Sequence, residues 1–276
     1  MRVAVVGHTE WIEFGRVDAI PGPGEIAHAT EAWEEPGGGG AVAAAQLAKL
    51  AGSGDLFTAL GDDELGHRAI SGLRELGVDV HAAIRSDRPT RRAVTLIDPS
   101  GERTITTLGD RLQASGSDDL PWERLTQADA VYVCAGDADA FRFARRARVM
   151  VVTSRALDLL AASGVAADVV VGSASDPSER FDAERLEARP RVVVRTEGID
   201  GGSFESAQAS GRYEAAPPPS PVVDTYGCGD SFAAGLAFAL GDGRGLSDAL
   251  TFAARCGAAC ATGRGPYSGQ LSSPLP

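Results

Sequence analysis

The stretch "VVDTYGCGDSFAAGLAFAL", residues 222–240, sets Asp224, Thr225, Gly227, Gly229 and Asp230 directly before an apolar helical pattern. A helix start leaves its first backbone N–H groups unpaired and carries the positive end of the helix dipole. Glycines at 227 and 229 would let a phosphate approach that backbone without side-chain obstruction. Asp230, at the lip of such a cradle, could take the proton of a substrate hydroxyl as it attacks a phosphoryl group, catalysis typically worth about 10²–10⁴-fold. Two other readings compete: Asp230 as an ordinary helix cap, and Ser231 as a hydrolase nucleophile. A serine triad needs a histidine, normally later in the chain, and the histidines end at His81.

Those residues need elements to position them. Residues 2–7, "RVAVVG", read as a buried strand. "WIEFGRVDAI" and "IAHATEAW" read as short strands on either side of the turn "PGPGE". "EEPGGGGAVAAAQLAKLAG" reads as a glycine loop entering an alanine-rich helix that stops at Gly52. "DLFTALG" is a strand pattern, and "DDELGHRAISGLRELGV" a helix with acids in its first turn and Gly77 at its end. "RRAVTLIDPSGERTITTL" predicts a β-hairpin around "DPSG".

Four apolar runs follow, "ADAVYVCAG", "ARVMVVTS", "ADVVVGS" and "PRVVVRTEG", suited to parallel strands buried on both faces. Helical stretches at about 137–147, 155–163 and 179–188 separate them. The alternation argues for a doubly wound α/β sheet. Segments at about 12–34 and 91–108 break it and read as a small β appendage.

The chain of 276 residues, 43% hydrophobic and 23% charged, suffices for a full core in one large domain. A net charge of −12 argues against non-specific binding to nucleic acid or an anionic membrane. No apolar run is long enough to span a bilayer, and "MRVAVVGHTEW" moves straight into a strand pattern, which predicts no signal peptide. Cys134, Cys228, Cys256 and Cys260 form no C-x-x-C pair, as expected of a cytoplasmic protein with reduced thiols. Lys49 is the only lysine and lies in a helical pattern, so the chain has no Walker A loop.

"DTYGCGDSFAAG" resembles the "DTxGAGD" signature of the PfkB, or ribokinase-like, family of carbohydrate and nucleoside kinases. Four further blocks resemble that family in the same order: "GGGGAVAAAQLAKLAG", "ALGDDELGHRAISGLRELGVDV", "PTRRAVTLIDPSGERTI" and "VVVRTEGIDGG". The resemblance implies a single three-layer α/β/α domain over 1–276, with a mostly parallel central sheet and a small β-sheet lid. It implies transfer of the γ-phosphoryl group of ATP, with Mg²⁺, to a hydroxyl of a small sugar or nucleoside-like substrate. By position Asp230 matches the general base, and the amides of Gly227, Cys228 and Gly229 match the anion hole. Gly37 and Gly38 match the pair against the sugar. Thr196, Gly198, Gly201 and Thr225 match the nucleotide side, with Gly265 beside it in the tail. Asp224 lies where the family often holds a monovalent cation such as K⁺. A homodimer through the lid, as in many relatives, is a further expectation.

The chain departs from the family in three places. The usual Asn-x-x-Glu, which organises Mg²⁺ and its waters, becomes "DVVVGSASDPSE", with Ser173 for the asparagine and Asp176 for the glutamate. Asp176 or Glu179 could still hold metal-bound water, since Mg²⁺ accepts one or two carboxylates and keeps several waters; an ordinary turn and cap is the alternative. The acceptor region reads "GHTEWIEFG", where Glu10 and Glu13 are candidates for sugar hydroxyls or simply alternate across a lid strand. Cys228 replaces the signature's alanine, and a thiol at a helix N-terminus can become reactive or merely pack. A non-catalytic sugar- or nucleotide-binding protein of the same fold is the competing reading, supported by the altered Mg²⁺ motif.

Overall fold

The computed structural model describes residues 1–272. The first half of the chain forms β1 (Val3–Val6), β2 (Glu10–Arg16), β3 (Glu31–Gly37), α1 (Gly39–Ala51), β4 (Gly54–Gly61), α2 (Glu64–Glu75), β5 (Val78–Arg85), β6 (Arg92–Ile97) and β7 (Arg103–Leu108). The second half forms β8 (Ala130–Val133), α3 (Ala138–Ala144), β9 (Val149–Thr153), α4 (Leu157–Ser163), β10 (Val169–Ser173), β11 (Val192–Thr196), β12 (Gly202–Ser206), β13 (Ser210–Tyr213), α5 (Cys228–Gly241) and α6 (Leu246–Cys260).

Nine strands make the central sheet, in the order β13-β12-β11-β10-β9-β8-β1-β4-β5. The seven from β5 to β11 are parallel, and β12 and β13 extend the far edge antiparallel. Successive β1 residues serve two cores: Val3 and Val5 face α1, α5 and α6, while Ala4 and Val6 face α3 and α4. Burial on both faces explains why these strands read as unbroken apolar runs. The result is the expected α/β/α sandwich.

A separate four-stranded sheet, β3-β2-β6-β7, forms the lid. Strand β2 pairs antiparallel with β3 and parallel with β6, which turns back antiparallel into β7. Ile12 and Phe14 turn toward the main core with Tyr226, and Trp11 packs on the other face with Leu60 and Ala69.

Three local expectations need correction. The second lid strand starts at Glu31 and runs to Gly37, later than the 26–33 segment, because residues 22–30 are exposed and offer no apolar face. The stretch at 179–188 is not a helix but two short 3-10 turns, Pro177–Glu179 and Ala183–Arg185. Asp176 and Asp182 bond the backbone two residues on, and only Leu186 is buried, so there is no apolar stripe to hold a helix down. Strands β5, β12 and β13 complete the sheet where no separate strand was expected.

Candidate active site

Residues just past the C-terminal ends of β1 and β9, His8 and Arg155, act on the Asp230 carboxyl in the first turn of α5, and the C-terminal ends of parallel strands are where α/β sheets bind ligands. At that helix start Gly227 is the N-cap residue, with φ 80° and no side-chain cap. A side chain there is barred twice, by the left-handed backbone and by Val42 Cγ1, which a Cβ would meet at 2.8 Å. The Gly227 and Gly229 N–H groups make no hydrogen bond among the described residues, while Cys228 N reaches Thr225 O at 3.4 Å. Gly229 has ordinary helical backbone, and a Cβ there would have nothing within 4 Å. Neither conformation nor packing requires that glycine.

Asp230 is therefore not the cap. Its half-buried carboxylate lies against Gly39, whose Cα could carry no Cβ without approaching Asp230 Oδ1 to 2.7 Å. Burial pushes the Asp230 carboxyl above its ordinary range; His8, Arg103 and Arg155 pull it down and Glu179 pushes it up.

Around it, Gly38 N donates to Tyr226 Oη at 3.1 Å. His8 Nε2 lies 3.3 Å from Gly39 N and 3.2 Å from Glu10 Oε1. Gly37 is pressed between Ile12 and Tyr226, and Gly38 has φ 86°. Glu10 is buried, with Oε2 3.3 Å from Arg91 Nε, and neither of those two atoms makes a hydrogen bond. Burial raises the Glu10 carboxyl, but His8, Arg91 and Arg111 together hold it below its ordinary value. Glu13 is not brought to this cleft. It sits on the opposite face of β2, 3.7 Å from Arg92, as the two-residue period of a strand requires.

The lid reaches over the same loop. Thr225 N and Oγ1 both donate to Gly101 O, at 3.0 and 3.1 Å, and Arg103 Nη1 donates to Thr225 Oγ1 at 2.9 Å. Asp224 is fully buried and accepts from Tyr226 N at 2.7 Å and Gly265 N at 3.0 Å. Burial raises its carboxyl. Gly265, at φ 63°, lies against the Glu35 carboxylate at the lid root, so the tail ties the signature turn to β3.

On the remaining side, Thr196 ends β11 beside Ser173 of β10, and Gly198 and Gly201 shape the next turn with φ 61° and 77°. The divalent-ion reading of Asp176 and Glu179 does not fit this geometry. Arg155 Nε donates to Glu179 Oε1 at 2.6 Å, and Arg155 Nη2 pairs with Asp176 Oδ2. Ser173 N donates to Glu179 Oε2 at 2.5 Å, and Ser178 N to Asp176 Oδ1 at 2.8 Å. All four carboxylate oxygens are engaged, and no cluster of three potential ligands stands elsewhere among the described residues.

At Cys228 the neighbouring Cys260 thiol and burial push the thiol up, which favours packing over reactivity. Gly39, His8, Tyr226, Arg103 and Arg155 were not picked out from the sequence. Gly39, His8, Tyr226 and Arg103 lie inside quoted motif blocks without an assigned role, and Arg155 lies in none.

Residues 1–273 match the family described as pfkB family carbohydrate kinase. An ATP-dependent ribose-1-phosphate kinase of Halopiger xanaduensis is 30% identical over 97% of this chain and 94% of its own. An aminoimidazole riboside kinase of Salmonella typhimurium is 28% identical over 86% of this chain and 87% of its own. Among solved structures, ribokinase from Thermotoga maritima superposes with TM-score 0.79 at 21% identity, covering 99% of this chain and 96% of that one. Arabidopsis thaliana ribokinase complexed with ribose and ATP gives 0.76 at 22% identity, covering 98% and 96%.

Proposed function

The chain belongs to the pfkB family of carbohydrate kinases, and from that premise we propose that it transfers a phosphoryl group from ATP to a hydroxyl of a small sugar or nucleoside-like acceptor. One observation carries the phosphate cradle: Gly229 sits at an exposed helix tip with free space around it and no structural need to be glycine. What remains is the close approach of a ligand to bare N–H groups. Donors aimed at developing anionic charge contribute roughly 10²–10³-fold each.

Asp230, beside that tip and at Gly39, takes the acceptor's proton. The raised carboxyl suits a base, since proton affinity grows with pKa. The acceptor lies along Gly37 and Gly38 in this reading, and Glu10, ion-paired to Arg91 and set against Gly38, is its candidate carboxylate partner. Thr196, Gly198, Gly201, Thr225 and Gly265 border the nucleotide side in this reading. Phosphoryl transfer asks the protein mainly for positioning and charge stabilisation, and the lid excludes competing water.

Asp176 and Glu179 are not proposed as Mg²⁺ ligands, since Arg155 and backbone N–H groups occupy their oxygens, and no other ligand for the ion is assigned among the described residues. A monovalent cation at Asp224 has one support: a fully buried carboxylate with no ion pair among the described residues, whose charge K⁺ would neutralise. Among the described residues no helix is long and apolar enough to cross a membrane. Four free thiols suit the reducing cytoplasm that the proposal assumes.

The test is ADP release across a panel of pentoses, hexoses, sugar phosphates and nucleosides, with wild type and Asp230→Asn in parallel. Turnover on at least one acceptor, lost in Asp230→Asn, is expected. Near-normal turnover in the variant removes the base assignment, and no ADP with any acceptor removes the reading.

A further inference from the structure

Arg155 follows β9, and its guanidinium is held on two sides. Nε donates to Glu179 and Nη2 pairs with Asp176, while Nη1 makes no hydrogen bond among the described residues. Glu179 is itself fixed by Ser173 N at the end of β10, and Asp176 by Ser178 N and Oγ. The Arg155 side chain is still 52% exposed, so the held group fronts solvent, and its charge acts on the Asp230 carboxyl. Two carboxylates spent on one arginine are poor ligands for a divalent ion, because the cluster carries one net negative charge where an unpaired couple would carry two. A planar guanidinium locked on two edges is, by contrast, pre-organised to offer its third nitrogen to an oxyanion.

We infer that Arg155 is a fixed cation of this cleft, a phosphate-binding residue, with Asp176 and Glu179 as its positioning residues rather than holders of a divalent ion. The inference rests on the kinase reading above, in that the oxyanion it serves is a nucleotide phosphate.

A double-mutant cycle of Arg155→Met and Glu179→Gln separates the two roles, read as affinity for ATP in EDTA, where no metal can assist. Arg155→Met should weaken metal-free ATP binding about 10- to 100-fold, the usual worth of a charge-assisted hydrogen bond. Glu179→Gln should weaken it in the wild-type background and add nothing in Arg155→Met, the non-additivity of residues that act through one another. Arg155→Lys should not restore it, since an ammonium cannot span both carboxylates.

Titrating Mn²⁺ into the nucleotide-free protein, followed by its electron paramagnetic signal, should leave that signal undiminished in wild type. Mn²⁺ captured by wild type and released in Glu179→Gln would overturn the inference. So would unchanged metal-free ATP affinity in Arg155→Met, or equal Glu179→Gln costs in both backgrounds. These readouts need no acceptor, so a failed search for turnover would not be mistaken for failure here.

Discussion

At the scale of single residues, the proposed base Asp230 carries an electrostatic cost. Its folded pKa is raised above the ordinary 3.8, so the ionised form costs stability. That cost is full above the folded pKa and fades as pH falls toward the unfolded value. Asp230→Asn should therefore lower kcat by at least about 10²–10⁴-fold and raise Tm at neutral pH, by about 2–4 °C for each kcal/mol relieved. The gain in Tm should shrink as pH is lowered. Scanning calorimetry across pH checks this, and a variant that melts lower than wild type at neutral pH would refute the strained-base account. In the active enzyme the acidic limb of the rate profile should lie above the ordinary carboxylate range. The sequence singles out Asp230 only through the longer signature around it, because a helix cap competes equally for the short glycine–aspartate string alone. Arg155 and Arg103 were not legible, since their meaning depends on strand ends and a lid that only the fold brings together. Glu13 failed for a simpler reason: three residues from Glu10 on a strand is the opposite face.

At the scale of elements, the tip of α5 makes two glycines testable against each other. Gly229→Ala should leave the fold intact or slightly stabilise it, by up to about 1 kcal/mol of helix propensity, while lowering kcat/KM sharply by placing a methyl in the phosphate's path. Gly227→Ala should instead destabilise by about 1–3 kcal/mol through its left-handed backbone, with the Val42 contact adding to it. Equal activity in Gly229→Ala and wild type would empty the cradle of its role. The lid offers a second contrast. Thr225→Val keeps shape and the backbone bond to Gly101, but loses the hydroxyl that Arg103 and Gly101 share. Faster amide exchange around residues 98–103 and a raised KM are expected, with little change in Tm. Unchanged exchange would mean that the hydroxyl does not latch the lid. Helix α1 and its Gly52 stop were readable from alanine periodicity and a terminal glycine, whereas the lid register was not, because exposed residues 22–30 carry no pattern that says where pairing resumes.

At the scale of the whole molecule, the parallel sheet was legible from repeated apolar runs, because strands covered on both faces leave little room for polar residues. Strand β5 and the β12–β13 hairpin escaped notice, since they lie at the two ends of the sheet, where burial is incomplete and the sequence reads as mixed. The same logic marks the lid's free edge. Every residue of β7 is exposed, including Ile105 at 44% and Leu108 at 38%, and among the described residues its outer backbone groups have no strand beside them. An uncovered strand edge with exposed apolar side chains invites pairing, and charges placed there oppose it. If the lid pairs two copies, the wild-type chain should run as a dimer by light scattering, and the double variant Ile105→Glu, Leu108→Glu should run as a folded monomer with unchanged circular dichroism. Because the lid also latches onto Thr225, that monomer should bind the acceptor more weakly while its metal-free ATP affinity stays close to wild type. A wild-type monomer at every concentration, or a dimer indifferent to both glutamates, would remove the lid edge as the contact.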